Sequence, residues 1–365
     1  MRLLRLLPLL LLAFASAAAR AQTTVQNDDD RYEAKVVGFQ TTEDAHGGWE
    51  AYATLRMTNR SAEPLILAGD QLKVLATDEK GNRYHALFGG AMGEIFSDHP
   101  SANFALPVGG TGDALIKLYM TTSPVKERGK TFHVELPIAD VTKDAEGKPQ
   151  VGQTYRLRLT NLTAAEFVPK SDDNPAIEPK LVAGPFTARV TSAIVAPDGN
   201  GRGEAEVMTI AVTNRLTTPL YLACADSNSF AVDEHGRAYE QGGLAKGHYR
   251  LRGIPDLSEY DVDPRFVLAP GATRSFTFPV TNGKGNIKEN GRLGVYLGLS
   301  VMKKDAKGKY HADQNYLLTF FNVRPTGRSA TPLGAGIPDP SSEAEGVHLA
   351  SPKAMVGPTL MPSHG

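Results

Sequence analysis

The chain has 365 residues, with 39 Lys and Arg against 40 Asp and Glu, so its formal charge is −1. This balance provides no basic field that would draw the protein to nucleic acid, and we expect no nucleic-acid partner. The single cysteine excludes an intramolecular disulfide and any zinc or iron–sulfur site made of several cysteines. A hydrophobic content of 41% argues against both a multi-span membrane protein and a wholly disordered chain. At roughly 100–200 residues per domain, the length indicates two or three domains.

The first 21 residues have the three parts of a secretory signal. Arg2 and Arg5 provide a basic start, Leu6–Phe14 is an apolar run, and Ala19–Ala21 supplies small residues at the cleavage position. The run is too short for a transmembrane anchor, which needs about 20 apolar residues. We therefore predict a signal peptide over residues 1–21 and a periplasmic or secreted mature protein without a membrane span.

Two long segments of the chain repeat each other. Twelve of the thirty positions from Leu55 to Tyr84 are identical, without a gap, 155 residues later in the chain. The match continues at spacings of 161 and 162 residues over the parts of the chain that follow. We interpret the pattern as a tandem duplication, with one repeat over residues 31–165 and the other over residues 185–325.

The segments outside the repeats differ from them in composition. Phe167–Pro185 contains four prolines and several charges, which is typical of an extended linker, and we place this linker at residues 166–184. The last 41 residues, from Pro325 onward, contain seven Pro, six Gly and no aromatic residue. Such a segment buries too little apolar surface to offset its ordering entropy, so we predict a disordered tail over residues 326–365.

Within each repeat, apolar residues occupy every second position. The inward series in the first repeat runs from Trp49 to Met57, and Tyr52 and Thr54 stand on the other face. Met208 begins the matching series in the second repeat. A period of two predicts strands that bury one face.

Turn residues separate the predicted strands. The tetrapeptides Asp78–Gly81 and Asp233–Gly236 both end in glycine, which tight turns often need at φ > 0. The repeated Lys-Asp-Ala-x-Gly-Lys segments, which begin at Lys143 and Lys304, predict a second hairpin. Each repeat thus contains roughly seven or eight short strands and no convincing long helix, so the predicted fold class is all-β, with two antiparallel β-sandwiches.

A set of turn and core residues recurs in both repeats in the same order. They are Asn59, Pro64, Asp78, Gly81, Tyr84, Leu106 and Gly109 in the first repeat and Asn214, Pro219, Asp233, Gly236, Tyr239, Leu268 and Gly271 in the second. Over about three quarters of the chain this order resembles the immunoglobulin-like domains of unknown function found in secreted bacterial proteins and lipoproteins, including a mycobacterial secreted antigen. The resemblance implies two tandem immunoglobulin-like sandwiches that serve in binding or adhesion rather than catalysis, although the disulfide and buried Trp of antibody domains are not matched.

Common catalytic and metal-binding signatures are missing from the sequence. It contains no His-Glu-x-x-His, no Gly-x-Ser-x-Gly and no phosphate-binding Gly-x-x-x-x-Gly-Lys-Ser/Thr segment. Asp198–Arg202 begins like a calcium loop, but Arg202 stands where another acid is needed, which favours a plain turn. Cys224 aligns with Gly69 and is expected to be a buried strand residue, with intermolecular pairing as the alternative. We predict no catalytic residue, no metal site and no cofactor.

The two repeats differ most in one pair of equivalent long loops. There are 19 residues between Tyr84 and Phe104, and 26 between Tyr239 and Phe266. Loops longer than about 12–15 residues are uncommon unless they are functional or disordered. The apolar residues of these loops either cap the open end of each sandwich or contribute to a binding surface. The candidate partner-binding residues of the second loop are Tyr249, Arg250, Arg252 and Tyr260, since Tyr and Arg are favoured at the centres of interfaces.

These features favour an exported, non-enzymatic binding or structural module of the cell envelope, whose partner is an unidentified envelope protein or glycan. One alternative is an envelope enzyme with an unrecognised site between the repeats, which predicts a deep cleft lined by several titratable groups. The other alternative is a periplasmic carrier of a metal ion.

Overall fold

A computed structural model describes residues 23–43, 49–96, 99–119, 128–163, 181–197, 203–241, 253–255, 266–281 and 291–330. The predicted signal peptide, most of the predicted linker and most of the predicted tail lie outside these ranges. Apart from one 3-10 turn at Gln71–Lys73, every regular element within them is a strand. None of the described segments forms a helix with the length and hydrophobicity needed to cross a bilayer.

The strands form two β-sandwich domains, one on each side of residues 164–180. The N-terminal domain contains β1 (Thr24–Asn27), β2 (Tyr32–Glu43), β3 (Trp49–Asn59), β4 (Leu65–Gly69), β5 (Leu75–Asp78), β6 (Arg83–Gly90), β7 (Gly93–Phe96), β8 (His99–Pro100), β9 (Ala105–Leu106), β10 (Thr111–Tyr119), β11 (Thr131–Lys143) and β12 (Pro149–Thr163). The C-terminal domain contains β13 (Leu181–Ala183), β14 (Phe186–Pro197), β15 (Glu204–Asn214), β16 (Leu220–Asp233), β17 (Ala238–Gln241), β18 (Val267–Leu268), β19 (Thr273–Thr281), β20 (Leu293–Lys304), β21 (Tyr310–Val323) and β22 (Gly327–Arg328).

The strand order is the same in both domains. One sheet of the N-terminal domain has the order β2-β3-β10-β6, and the matching sheet of the C-terminal domain has the order β14-β15-β19-β17. The second sheets are built around the hairpins β11-β12 and β20-β21. The sheets are antiparallel as predicted, except that β7 pairs with β4 and β22 pairs with β14 in parallel. The predicted all-β fold with two sandwich domains is thereby confirmed.

The repeated Asp-x-x-Gly-x-x-Tyr motif forms the same turn in both domains. Gly81 and Gly236 have φ angles of 80° and 77°, which confirms that these turns need glycine. Asp78 accepts a hydrogen bond from the Tyr84 hydroxyl at 2.7 Å, and in the second domain the equivalent bond is 3.1 Å long. Burial by itself would raise the pKa of Asp78. Hydrogen bonds from Asn82, Tyr84 and the backbone outweigh burial and lower this pKa to about 2. The motif therefore has a structural role.

A part of the first long loop is ordered as strands, contrary to the prediction. Between Tyr84 and Phe104 the strand β6 continues to Gly90, and β7 and β8 form a small hairpin. Phe88 and Met92 are buried in the N-terminal core. The physical reason is that β7 pairs with the edge of β4, whose backbone groups would otherwise lack partners. The apolar residues of this loop therefore complete the core.

Two short segments beyond the predicted repeats also join the sheets. Strand β13, at the end of the predicted linker, pairs with β14. The predicted tail begins at residue 326, but the backbone N–H groups of Thr326 and Ser329 donate to the carbonyls of Ala193 and Val195, both at 2.7 Å. The prediction of disorder was wrong for these first tail residues, because the backbone groups along the edge of β14 offer them hydrogen-bond partners.

The two domains contact each other through the outer faces of two sheets. Tyr296 on β20 is fully buried, and its hydroxyl donates to Gln40 on β2 at 2.8 Å. Its ring stacks on the ring of Phe230, with the two centroids 4.6 Å apart. The ring of Phe230 also contacts the ring of Tyr52 on β3, again with a centroid distance of 4.6 Å. The alternation along β3 correctly predicted the core face, but the opposite face, with Tyr52 and Thr54, is buried as well. The C-terminal domain covers the face of β3 that the alternation predicted to be exposed to solvent.

The two equivalent turn glycines provide a matched test of this contact. A Cβ at Gly81 would meet no atom within 4 Å, whereas a Cβ at Gly236 would lie 2.4 Å from the backbone oxygen of Thr41 in the other domain. We expect Gly81→Ala to lower the free energy of unfolding by about 1–2 kcal/mol through its positive φ alone. Gly236→Ala should cost clearly more, because the domains must also move apart. Equal losses in urea titrations of the two variants would contradict the domain contact at this turn.

Candidate functional site

Residues near the middle of the long loop of the C-terminal domain contact the sandwich. The backbone N–H of Cys224 donates to the carbonyl of Pro255 at 2.8 Å, and the neighbouring Ile254 is buried in the core. The four candidate residues lie on either side of this attachment in sequence, with Tyr249, Arg250 and Arg252 before it and Tyr260 after it. All four lie outside the described residues, so their role stays a prediction.

A pocket lies where the two domains meet. Its lining residues are Ala91, Phe104, Ala105, Leu106, Pro107, Thr111, Gly112, Asp113, Gly184, Asn315, Tyr316 and Leu317. Most of them come from the β9–β10 region of the N-terminal domain and from β21 of the C-terminal domain. The backbone N–H of Asn315 donates to the Asn103 carbonyl at 3.0 Å beside the pocket, so the pocket wall joins the two domains directly.

The carboxylate of Asp113 already has hydrogen-bond partners from both domains. It accepts two bonds of 2.8 Å from the guanidinium of Arg56 and one of 2.6 Å from the hydroxyl of Thr319 in the C-terminal domain. The hydrogen bonds to Asp113 raise the pKa of Arg56 and keep it charged. Asp113 is only 3% exposed, and its hydrogen bond from Thr319 joins the two domains.

The other titratable group of the pocket, Tyr316, donates its hydroxyl hydrogen to Gln314 at 2.6 Å. Burial raises the pKa of Tyr316, so the phenol is neutral at ordinary pH. The enzyme alternative predicted several titratable groups that converge on a cleft. The two groups of this pocket, Asp113 and Tyr316, instead have hydrogen-bond partners that hold them in place.

Cys224 is a core residue of the C-terminal domain, as the sequence predicts. Its side chain is fully buried, with the sulfur 3.6 Å from the Ser229 hydroxyl oxygen. At the equivalent Gly69, a Cβ would lie 2.3 Å from the ring of Phe88, so the first domain fills this space from another strand. Burial keeps the sulfur away from a partner chain, which removes the basis for intermolecular pairing.

Metal-binding residues do not cluster in the part of the chain that the structure describes, where no three side chains of His, Cys, Asp or Glu come together as a metal site requires. The calcium-like segment Asp198–Arg202 lies outside that part.

The sequence analysis missed one residue of chemical interest, Glu206 on β15. Its side chain lies on the core face together with Met208 and is 1% exposed. Neither of its carboxylate oxygens has a hydrogen-bond partner among the residues that the structure describes. Burial raises the pKa of Glu206 to about 8. The signal in the sequence was an acid at the position that aligns with Ala51, directly before the apolar series that begins at Met208.

The chain matches no known protein family and no curated protein. Among solved structures it is 11% identical to the YadV chaperone, over 79% of this chain and 100% of that chain, with a TM-score of 0.19. It is 13% identical to the exo-chitosanase CsxA of Amycolatopsis orientalis, over 78% of this chain, with a TM-score of 0.18, and it spans 26% of the chitosanase chain. Similarity at this level carries no argument about function.

Proposed function

We propose that the protein is an exported, non-enzymatic binding module of the cell envelope, in which two immunoglobulin-like domains form one rigid support for the long loop of the second domain. The main support is the buried contact between the domains. Tyr296, Phe230 and Tyr52 form a continuous aromatic stack across it. A support of this kind holds a binding loop in one orientation and lowers the entropy lost on binding.

The proposed duplication is supported by matching backbone details. Among non-glycine residues in the described part of the chain, Asn161 and Asn322 have positive φ, at 58° and 59°, and they occupy equivalent positions. Asn59 and Asn214 also make equivalent hydrogen bonds, from their side-chain amides to the carbonyls of Leu106 and Leu268. Such agreement between unrelated sandwiches would be fortuitous, so we propose a common origin.

Binding rather than catalysis is supported by the titratable groups of the interdomain pocket, Asp113 and Tyr316, which already have hydrogen-bond partners outside the pocket. Export rests on the signal sequence at residues 1–21. In a periplasmic or secreted location the protein would be stabilised by core burial and not by disulfides, since Cys224 is the only cysteine. The partner we propose is an envelope protein or glycan.

A loop variant of the mature protein tests this function. We expect the combined changes Tyr249→Ala, Arg250→Ala and Tyr260→Ala to reduce capture of the partner from envelope extract at least tenfold, since aromatic and Arg anchors contribute most of the energy of an interface. The amount of captured material would be measured after crosslinking, at equal concentrations of bait.

The matched control changes the exposed residues Arg156 and Arg215 to Ala, which removes two arginines from the surface outside the loop. This control should capture the partner as well as the original protein does. Undiminished capture by the loop variant, with an unchanged melting temperature, would reject the loop as the binding site.

A further inference from the structure

Glu206 lies inside the C-terminal sandwich. Its neighbours across the sheet are Val195 on β14 and Val280 on β19, both of which are buried on the same face. Within the described part of the chain, both oxygens of its carboxylate lack a hydrogen-bond partner. An acid in this position is surrounded by apolar side chains on the strands that flank it.

The fold itself does not require an acid at this position. The N-terminal domain builds the same strand with Ala51, which is completely buried. An unpaired buried carboxyl group costs several kcal/mol relative to an apolar residue that fits. Groups that cost stability in this way are concentrated at functional sites. A ligand that completes the pairing of Glu206 is a physical reason for its presence.

The end of the sandwich near Glu206 is built differently in the two domains. In the N-terminal domain the ring of Trp49 covers this end and lies 5.2 Å from Tyr84 and 5.3 Å from Phe132. The residue that aligns with Trp49 is Glu204, which forms an ion pair with Arg328 on β22. Among the described residues, the aromatic cover of the first domain is therefore not repeated above Glu206.

The charged groups around Glu206 have other partners. The Tyr239 hydroxyl on β17 donates to Asp233, which also pairs with Arg237 at 2.8 Å. The pKa of Tyr239 is raised first by burial, then by Asp233, and also by the charge of Glu206. The phenol of Tyr239 and the carboxylate of Glu206 are therefore electrostatic neighbours. The strands on either side of β15 place Val195 and Val280 next to Glu206. On β15 itself the nearest acid is Glu204, which forms an ion pair with Arg328. A cation for Glu206 must come from outside the described residues.

We propose that Glu206 forms a second binding site, inside the C-terminal sandwich, for a protonated amine with an apolar arm, and that its carboxyl group releases its proton to solvent when the amine binds. The ammonium group supplies the charge and the hydrogen-bond donors that both carboxylate oxygens lack. The arm lies against the valines and occupies the region that the Trp49 ring covers in the other domain. A divalent metal ion fits less well, because it requires several oxygen ligands and Glu206 is a single carboxylate.

Benzylamine and its neutral analogue benzyl alcohol test the proposal on the complete mature protein. We expect millimolar benzylamine at pH 7 to raise the melting temperature and to give a binding isotherm in calorimetry, with benzyl alcohol at least tenfold weaker. Glu206→Gln should lose at least tenfold in benzylamine affinity. This variant should fold, because glutamine keeps the shape of the side chain and has no group whose ionisation burial disfavours, and circular dichroism would check it.

Glu206→Ala, which introduces the residue of the first domain, provides a second variant that should also lose the amine. Equal benzylamine affinity in the original protein and both variants would overturn the proposal, as would a preference for benzyl alcohol or stabilisation by Ca²⁺ or Zn²⁺ in place of the amine. The loop variant described above should bind benzylamine normally, so failure of the partner-binding loop and failure of this site are distinguishable.

Discussion

Glu206→Gln is expected to raise the free energy of unfolding of the C-terminal domain by about 3 kcal/mol at pH 7 in the absence of ligand. Burial raises the pKa of the folded carboxyl to about 8, whereas the unfolded value is near 4.5. At pH 7 the unfolded chain has therefore released a proton that the folded domain retains. The glutamine keeps the shape of the side chain and has no proton to exchange.

The gain in the free energy of unfolding from Glu206→Gln should increase with pH. Because the pKa of Glu206 is raised on folding, its favourable contribution is fully present below pH 4.5 and is lost as the pH rises towards about 8. Urea titrations at pH 5 and pH 8.5 should therefore show a smaller gain for Glu206→Gln at pH 5 than at pH 8.5. Glu240→Gln, on an exposed position of β17, is the control and should show no such difference. A gain that does not change with pH would contradict the buried, unpaired state of Glu206.

Tyr296→Ala is expected to destabilise the protein by about 3–5 kcal/mol and to separate the unfolding of the two domains. The substitution removes a fully buried ring that stacks on Phe230, together with the hydrogen bond to Gln40 in the other domain. Since these contacts join the domains, their loss should divide the heat-capacity peak in scanning calorimetry into two transitions.

Tyr296→Phe provides the matched control, because it keeps the ring and removes only the hydroxyl group that donates to Gln40. We expect a smaller loss of about 1–3 kcal/mol, which reflects the buried amide oxygen left without a donor. A single undivided transition in Tyr296→Ala, with a loss no greater than that of the Phe variant, would show that the aromatic stack does not couple the domains.

Local features of the fold could be predicted from the sequence because they depend on nearby residues. Gly81 and Gly236 marked their turns, and the Asp144 and Asp305 segments formed the predicted hairpins, with backbone hydrogen bonds to Lys148 and Lys309. In each of these turns the side chains and the backbone that they organise are only a few residues apart. The period of two identified the core face of the strands for the same reason.

The domain contact could not be predicted in this way. Tyr52 and Thr54 have the pattern of a solvent face, and a period of two does not distinguish solvent from a second domain. Phe88 and Met92 were assigned to a loop because the pairing that orders this segment involves strands distant in the chain, such as that of Phe88 with Ile116 on β10. For Glu206, the sequence shows an acid on the core face of a strand. Whether its carboxylate finds a partner among the described residues depends on strands that are distant in the chain, so the sequence alone could not predict it.

The contact between the domains has a consequence for how many such units can associate. It is heterologous, because the N-terminal domain uses its β2-β3-β10-β6 sheet and the C-terminal domain uses its β16-β20-β21 sheet. A head-to-tail contact of this type does not close on itself and would add further domains without limit. At the positions where the C-terminal domain has Tyr296, Leu317 and Thr319, the N-terminal domain has Glu135, Arg156 and Arg158.

These three charged residues form ion pairs with each other across β11 and β12, at 3.2 and 3.4 Å. A further domain could cover them only by removing their charges from water, at a cost that an aromatic stack would not offset. The charged outer sheet of the N-terminal domain thus disfavours a further domain on that face, as a polar terminal cap does in repeat proteins.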